Sequence, residues 1–458
     1  MTHWLPALTL CWGLILPPQV LPQNTNVPKL TLRQCEELAL KNSASVKDAQ
    51  ARLELAEAKR AQAAHAKILP KFEVRNVWGP SPRARGEFNQ FGVLSSPDTS
   101  TGFSDLRYFT EVEVNLLQPI FTFGKFAGLS RAASYGAEAE EANFRKKQND
   151  VRSKVRQVYW GAVLGKELLA VVENARSEMD KAESKIQEKL DEGSEDVSQT
   201  DLFKLKIFKY EINKRYREAL SKIEIANAAL GALIGHRHDE KFEIAAEYLD
   251  PVNLNVEDID VYYDMAAHSR PEISQLRAGV NARESLLTVS RSDYYPQFFF
   301  GGQVKYNFAK DRFDPNNPFV NNPTNFFRPG FVVGASWNLN FLQTRDKVRV
   351  AHAEYKKLEE KEAVLSDAIK LEVRKTYLEL KDAETNMLES RKALKASGSW
   401  LRSVSMTFDI GVAEVKDLIE AFQADGKMQA EHLENVFKYN AAAAKLSKVV
   451  GHDLYPPQ

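Results

Sequence analysis

The stretch from about Gly128 to Asp191 has no proline and is crowded with Ala, Glu, Lys and Arg, which lose little on entering a helix. As one unbroken helix it would be ~95 Å long. A second stretch, from about Arg345 to Phe408, has the same character and a similar length. A compact globule cannot hold rods of that length, so they imply a coiled coil or a helical tube.

The two rods belong to a pattern written twice. "VRQVY" (Val155 to Tyr159) returns as "VRKTY" (Val373 to Tyr377), and "TDLF" (Thr200 to Phe203) as "KDLI" (Lys416 to Ile419). "LGALIGH", ending at His236, returns as "LSKVVGH", ending at His452. The separations drift slowly and in order, as small loop insertions produce. The unit is about half the chain, too long for a solenoid repeat. Each half opens with a helix, roughly Leu32 to Lys67 with Thr31 as its cap, and roughly Val256 to Arg291. Two strand-like segments around a Pro/Gly/Asn-rich loop come next, then the rod, a glycine break and a second helix. "ILPKFEV" (Ile68 to Val74) and "DYYPQFFF" (Asp293 to Phe300) each carry Pro-x-Phe where helix gives way to strand. Pro70 and Pro296 are therefore the expected junctions, because proline ends a helix and favours an extended residue before it.

The strands alternate with period two. Along "YFTEVEVNLLQ", Tyr108, Thr110, Val112, Val114 and Leu116 share one face, opposite Glu111, Glu113 and Asn115. Along "FFFGGQVKYNF", Phe298, Phe300, Val304, Tyr306 and Phe308 oppose Gln303, Lys305 and Asn307. In "FVVGASWNLNF" the apolar face runs from Phe331 to Phe341, opposite Ser336, Asn338 and Asn340. In water such a pattern gives a half-buried sheet; in a bilayer it gives a barrel wall, apolar outward and polar toward the lumen. Four such segments per chain are fewer than the ~8 strands of the smallest closed barrels, so the membrane reading requires several copies. The other reading is a soluble coiled-coil scaffold or interaction protein with a small β-sheet.

Composition narrows the classes. Lys+Arg and Asp+Glu both total 62, which argues against a dedicated nucleic-acid binder. The N-terminus "MTHWLPALTLCWGLILPPQVLPQ" has an apolar core followed by prolines, so residues 1–22 read as a signal peptide although the only basic residue ahead of the core is His3. Residues 23–250 and 251–458 then form the two repeats. Cys11 falls in the leader, leaving Cys35 alone, which excludes an intrachain disulfide or a cysteine metal site. "GHRHDE" (Gly235 to Glu240) offers two histidines with no organised third ligand, and a glycine helix cap explains it. No phosphate loop, His-Glu-x-x-His or Gly-x-Ser-x-Gly occurs, so nothing positive supports an enzyme, a cofactor or a metal.

Taken together, the opening helix with its Pro-x-Phe (Leu30 to Val74), "LQPIFTFGKFAGLSRAA" (Leu117 to Ala133), "SRPEISQLRAGVNARESLLTVSRSDYYPQ" (Ser269 to Gln297) and "FDIGVAEVKDLIEA" (Phe408 to Ala421) resemble the TolC-like outer membrane efflux protein family. The resemblance implies a mainly α fold with transmembrane β. In a homotrimer, four strands per chain would make a twelve-stranded outer membrane barrel, and helical hairpins a periplasmic tunnel. It implies a passive exit duct, reaching from the outer membrane into the periplasm. Its partners would be a periplasmic adaptor and an inner membrane pump of resistance-nodulation-division or ABC type.

The same resemblance assigns candidate sites. Asp417 and Glu420, three apart on one helix face, match carboxylates that ring the periplasmic end of the tunnel. Asp201, after Thr200, holds the equivalent place in the first half and resembles a gate latch. The latch partners do not carry over, because Phe408 and Ala413 stand where the family has tyrosine and arginine. The turns at Gly193, Ser194 and Glu195, and at Gly411, Val412 and Ala413, are the implied adaptor contacts.

Overall fold

A computed structural model of the chain describes residues 27–82, 87–91, 93–96, 106–193, 197–236, 242–312, 314, 317, 319 and 321–455. The expected signal segment, Ser194, Glu195 and most of "GHRHDE" lie outside these residues. A short strand β1 (Lys29–Leu30) leads into helix α1 (Leu32–Asn42). The Thr31 hydroxyl accepts from Gln34 N while the Gln34 side chain accepts from Thr31 N at 2.9 Å, closing a capping box.

The first expected helix is two helices. After α1 the chain breaks at Ser43 and resumes as α2 (Ala44–Ile68). The cause is distant in sequence: the Asn42 side-chain amide donates to the Ile234 carbonyl at 2.6 Å. The helix expected over 256–291 is also two, α5 (Ile259–Ser269) and α6 (Pro271–Ser292). Here Pro271 forces Arg270 into an extended conformation, with φ −73° and ψ 122°.

Strands β2 (Lys71–Pro82) and β5 (Leu106–Phe121) flank the first loop, which holds the short pair β3 (Glu87–Phe88) and β4 (Leu94–Ser96). The rod α3 (Lys125–Asp191) has 67 residues, and α4 (Gln199–Ile234), with 36, returns antiparallel to it. Strand β6 (Glu243–Ile244) pairs parallel with β1. The second half repeats the plan: β7 (Gln297–Ala309), β8 (Phe326–Ser336), α7 (Phe341–Asp409) with 69 residues, and α8 (Val415–Val450) with 36. β8 stops at Ser336, short of the expected Phe341. Its last partner is Gln297, and Pro296 beyond has no N–H to extend the ladder. Trp337 turns away and donates its indole N–H to the Tyr294 carbonyl at 3.1 Å.

The long strands form one antiparallel sheet in the order β2-β5-β7-β8. Below it the helices keep a similar order, α2 against α3, α3 against α6, α6 against α7. Further down, α4 and α8 pack on α3, and α8 on α7. One apolar core sits at the equator, where α1, α5 and the upper ends of α4 and α8 meet α3 and α7 around Tyr159, Leu230, Tyr262, Leu380 and Tyr439. Arg156 lies inside it, 3% exposed, donating to Glu36 and through both terminal nitrogens to Asp453 at 2.7 and 2.6 Å. A buried guanidinium is tolerated because every charge beside it is opposite. A second core closes the far end, joining Met179 and Ile186 of α3, Leu202 and Leu205 of α4, Phe408 of α7, and Val415 and Leu418 of α8.

Candidate functional site

Two regions carry the candidate functional residues, the sheet and the tips of the α3–α4 and α7–α8 hairpins. In the sheet, strand register puts Arg75, Glu113, Lys305 and Arg328 in one row across all four strands. Side chains alternate, so the next row has Val74, Val114, Val304 and Pro329 on the other face. The polar face bonds to itself. Glu113 accepts from Arg75 at 2.6 Å and from Gln303 at 2.9 Å, with Lys305 3.5 Å away. Gln303 also donates to Asn115 at 2.9 Å.

The apolar face is bare. Phe72 is 63% exposed, Trp78 71%, Phe331 75% and Val333 69%. Among the described residues the four strands pack extensively on one another, and no helix covers this face. A soluble scaffold would need to bury these side chains, since each large apolar one left in water forgoes about 1.5–3 kcal/mol. Among the described residues β2 and β8 also have no strand on their outer sides. Pro70 follows the last turn of α2, and Pro296 precedes β7, so both lie at helix-to-strand junctions.

At the tips, Gly193 (φ 73°) and Gly411 (φ 76°) take the left-handed conformation that favours glycine. Val412 is 72% exposed, whereas Ala413 packs on the tip core. Thr200 is exposed in the first turn of α4. Asp201 is committed locally. Ser198 donates its hydroxyl to Asp201 at 2.7 Å and its backbone N–H at 3.2 Å, and Lys204 lies 3.1 Å away. These contacts, Ser198 first, hold the Asp201 carboxyl below the usual carboxylate range.

Asp417 occupies the matching third position of α8 but has no such partner, because its N-cap is Glu414 and makes no side-chain cap. It is exposed, as is Glu420, which among the described residues makes one long ion pair, to Lys416 at 3.9 Å. Glu420, Lys416 and Lys204 line one groove of about 1030 Å³ over α3, floored by Leu168, Val172 and Met179. Asp417 lies outside that lining. The structure thus puts Glu420 and Lys204, the charged partner of Asp201, on the lining of one groove, which the sequence did not reveal. Phe408, at the latch-tyrosine position, is 4% exposed in the tip core, with the Lys189 ammonium 5.2 Å from its ring centre. Lys209, also unanticipated, joins α4 to α3 through Asp180 at 2.6 Å and Glu183 at 2.7 Å, which raise its pKa. Among the described residues no cluster of His, Cys, Asp and Glu could hold a metal ion.

The family model for outer membrane efflux proteins matches residues 36–236. Solved structures share the fold along nearly the whole chain. The Campylobacter jejuni CmeC outer membrane channel is 17% identical, with 93% of this chain and 87% of that one covered at a TM-score of 0.73. The Vibrio cholerae outer membrane protein VceC is 15% identical, with 92% and 96% covered at 0.72. The open Neisseria gonorrhoeae MtrE outer membrane channel is 15% identical, with 93% and 89% covered at 0.72. No curated protein matches the sequence. The family match over residues 36–236 and the channel fold over both halves make the chain similar to outer membrane efflux proteins along nearly its whole length.

Proposed function

We propose that three copies of this outer membrane exit duct close into one tube, each sheet pairing β8 with β2 of the next copy. The observation that carries this reading is a sheet with one bare apolar face and two unpaired edges. A bilayer accepts that face and forbids those edges, so closure by further copies satisfies both demands. Strand direction alternates β2, β5, β7, β8, so β8 meets the next β2 antiparallel and the pattern continues without a fault. Arg75, Glu113, Gln303 and Lys305 then face the wet bore. Beneath the barrel, α7 leaves Val364, Leu371 and Leu378 68%, 70% and 52% exposed at heptad spacing, a stripe for a neighbouring copy.

The duct conducts passively, with transport driven by a pump in the inner membrane through a periplasmic adaptor. Gly193, Ser194 and Glu195 and the loop Gly411, Val412 and Ala413 are the adaptor-contact positions. Asp417 and Glu420 constrict the periplasmic mouth, where carboxylates from three copies favour cations. Thr200 and Asp201 border that constriction.

The test is biochemical. Membranes should release the protein only with detergent, as a heat-modifiable oligomer of three chains, and it should conduct in a planar bilayer. A water-soluble monomer without conductance would sink the reading.

A further inference from the structure

The helices that begin at the sheet are charged the wrong way round for their own dipoles. The N-terminal turn of a helix carries partial positive charge and favours acids. α4, α5, α6 and α8 obey, with Asp201, Asp260, Glu272 and Asp417 in their first turns. α3 and α7, which start beneath the strands, have no acid there; nor do α1 and α2, but α3 and α7 place cations at or just behind their starts. α3 opens on Lys125, and the first three turns of α7 hold Arg345, Lys347 and Arg349. Arg345 and Arg349 share a single carboxylate, Asp346, at 3.5 and 3.9 Å. Lys67 at the end of α2 and Arg291 at the end of α6 bring further cations to this level. Lys67, Arg291 and Lys347 make no ion pair among the described residues. Asp293 is already engaged by Lys125 at 2.8 Å.

This collar borders an exposed apolar band. Ile68 is 70% exposed, Ile120 59%, Phe121 54%, Trp337 53% and Leu342 69%, all at the helix-to-strand junction. On α7, Arg345 and Lys347 project about 160° apart, since each residue turns the helix by about 100°. One of them therefore faces outward whichever side of α7 lines the tube. Cations just beyond an aromatic and aliphatic band match the place where lipid phosphates lie.

We propose that this collar, formed by Lys67, Arg291, Arg345, Lys347 and Arg349, binds anionic phospholipid headgroups of the inner leaflet of the outer membrane. The proposal rests on the barrel reading, because only an inserted sheet brings the collar to a bilayer surface. Lys67 and Arg291 are favoured by the C-terminal dipoles of α2 and α6, whereas the α7 cations lie near an N-terminus, where lipid phosphodiesters would supply the missing counter-charge. An anchored collar would fix the depth of the duct and the tilt of α7 as it leaves the membrane.

The experiment uses the full-length oligomer in neutral detergent, titrated with dioleoyl phosphatidylglycerol and separately with dioleoyl phosphatidylcholine. Retained lipid is counted by native mass spectrometry and thermal stabilisation is followed in parallel. Phosphatidylglycerol should be retained and stabilising, and phosphatidylcholine much less so. R345Q/K347Q/R349Q should weaken phosphatidylglycerol binding by about fivefold per outward cation removed. R345K/R349K, which keeps the charge, should retain it. Equal retention of the two lipids, or retention unchanged in the Gln variant, overturns the proposal. So does matching stabilisation by inorganic phosphate alone, which would mark an adventitious ion only. If the Gln variant does not assemble, the wild-type contrast between the two lipids still decides. A wild-type protein that forms no oligomer overturns the barrel reading itself, a distinct failure visible in the same spectra.

Discussion

The two halves of the chain agree at the equator and part company at the tips. At the equator α4 ends in Gly235 (φ 76°) against the break between α1 and α2, and α8 ends in Gly451 (φ 73°) against the break between α5 and α6. A Cβ on Gly235 would lie 2.5 Å from Asn42 Cβ, and one on Gly451 would lie 2.7 Å from the Ser269 carbonyl. Each half uses the same device to dock a hairpin on its short helix. At the tips the shared acid diverges. Asp201 is tied into the Ser198 cap, whereas Asp417 follows Glu414, which cannot cap it. Duplication supplied the carboxylate twice; one copy came to hold a helix and the other was left open to solvent. The free copy, with Glu420, is the better placed to act on passing ions.

Substitution at the shared device should have the largest effect. Gly451→Ala combines a left-handed backbone with a clash against main chain, and should cost about 2–4 kcal/mol, seen as loss of oligomer or a lower Tm. Gly235→Ala should do nearly as much. Gly193→Ala, where a Cβ meets nothing within 4 Å, should cost only about 1 kcal/mol. Equal losses at all three would break the claimed equivalence of the equatorial docks.

The tips should separate by function. Asp417→Ala with Glu420→Ala should raise single-channel conductance and weaken block by divalent cations several-fold, while Asp201→Ala should leave both nearly unchanged. Unaltered conductance, selectivity and block in the double variant would remove the gate role.

Smaller effects sharpen the capping difference. Ser198→Ala should destabilise the start of α4 by about 1 kcal/mol in hydrogen exchange. Glu414→Ser should stabilise the start of α8 by a similar amount, about 1 kcal/mol, because the position already has extended geometry, φ −77° and ψ 154°. The smallest effect is in pH. The folded Asp201 carboxyl lies below its unfolded value, so its stabilisation is full above the unfolded pKa and fades as pH falls through the folded one. Exchange at the start of α4 should quicken in that acid range, and Ser198→Ala should blunt the change.

Much of this was legible because it is written in local period. Alternation along β5 and β7 gave the faces, and the proline-free runs gave α3 and α7. The break at Ser43 was not legible, because its cause is the Ile234 carbonyl far along the chain. The break at Arg270 is written in the Arg-Pro pair, since proline disfavours a helical residue before it, although the surrounding pattern is helical on both sides. Ser198 followed three residues later by Asp201 is a capping signature written in the sequence, and it accounts for Asp201 without a latch. Phe408 was read by its absent hydroxyl, yet it faces the tip core, a fact only packing reveals. The charge inversion at α3 and α7 needed the structure, since its meaning depends on which helices begin beneath the sheet.

The bare face of the sheet also bears on how the protein reaches its destination. Phe72, Trp78, Phe331 and Val333 are comfortable among acyl chains and adhesive anywhere else. On the proposed oligomeric barrel, a lone subunit crossing an aqueous compartment would carry that adhesive surface and two open strand edges together, which favours an escort and an assembly coupled to entry into the bilayer.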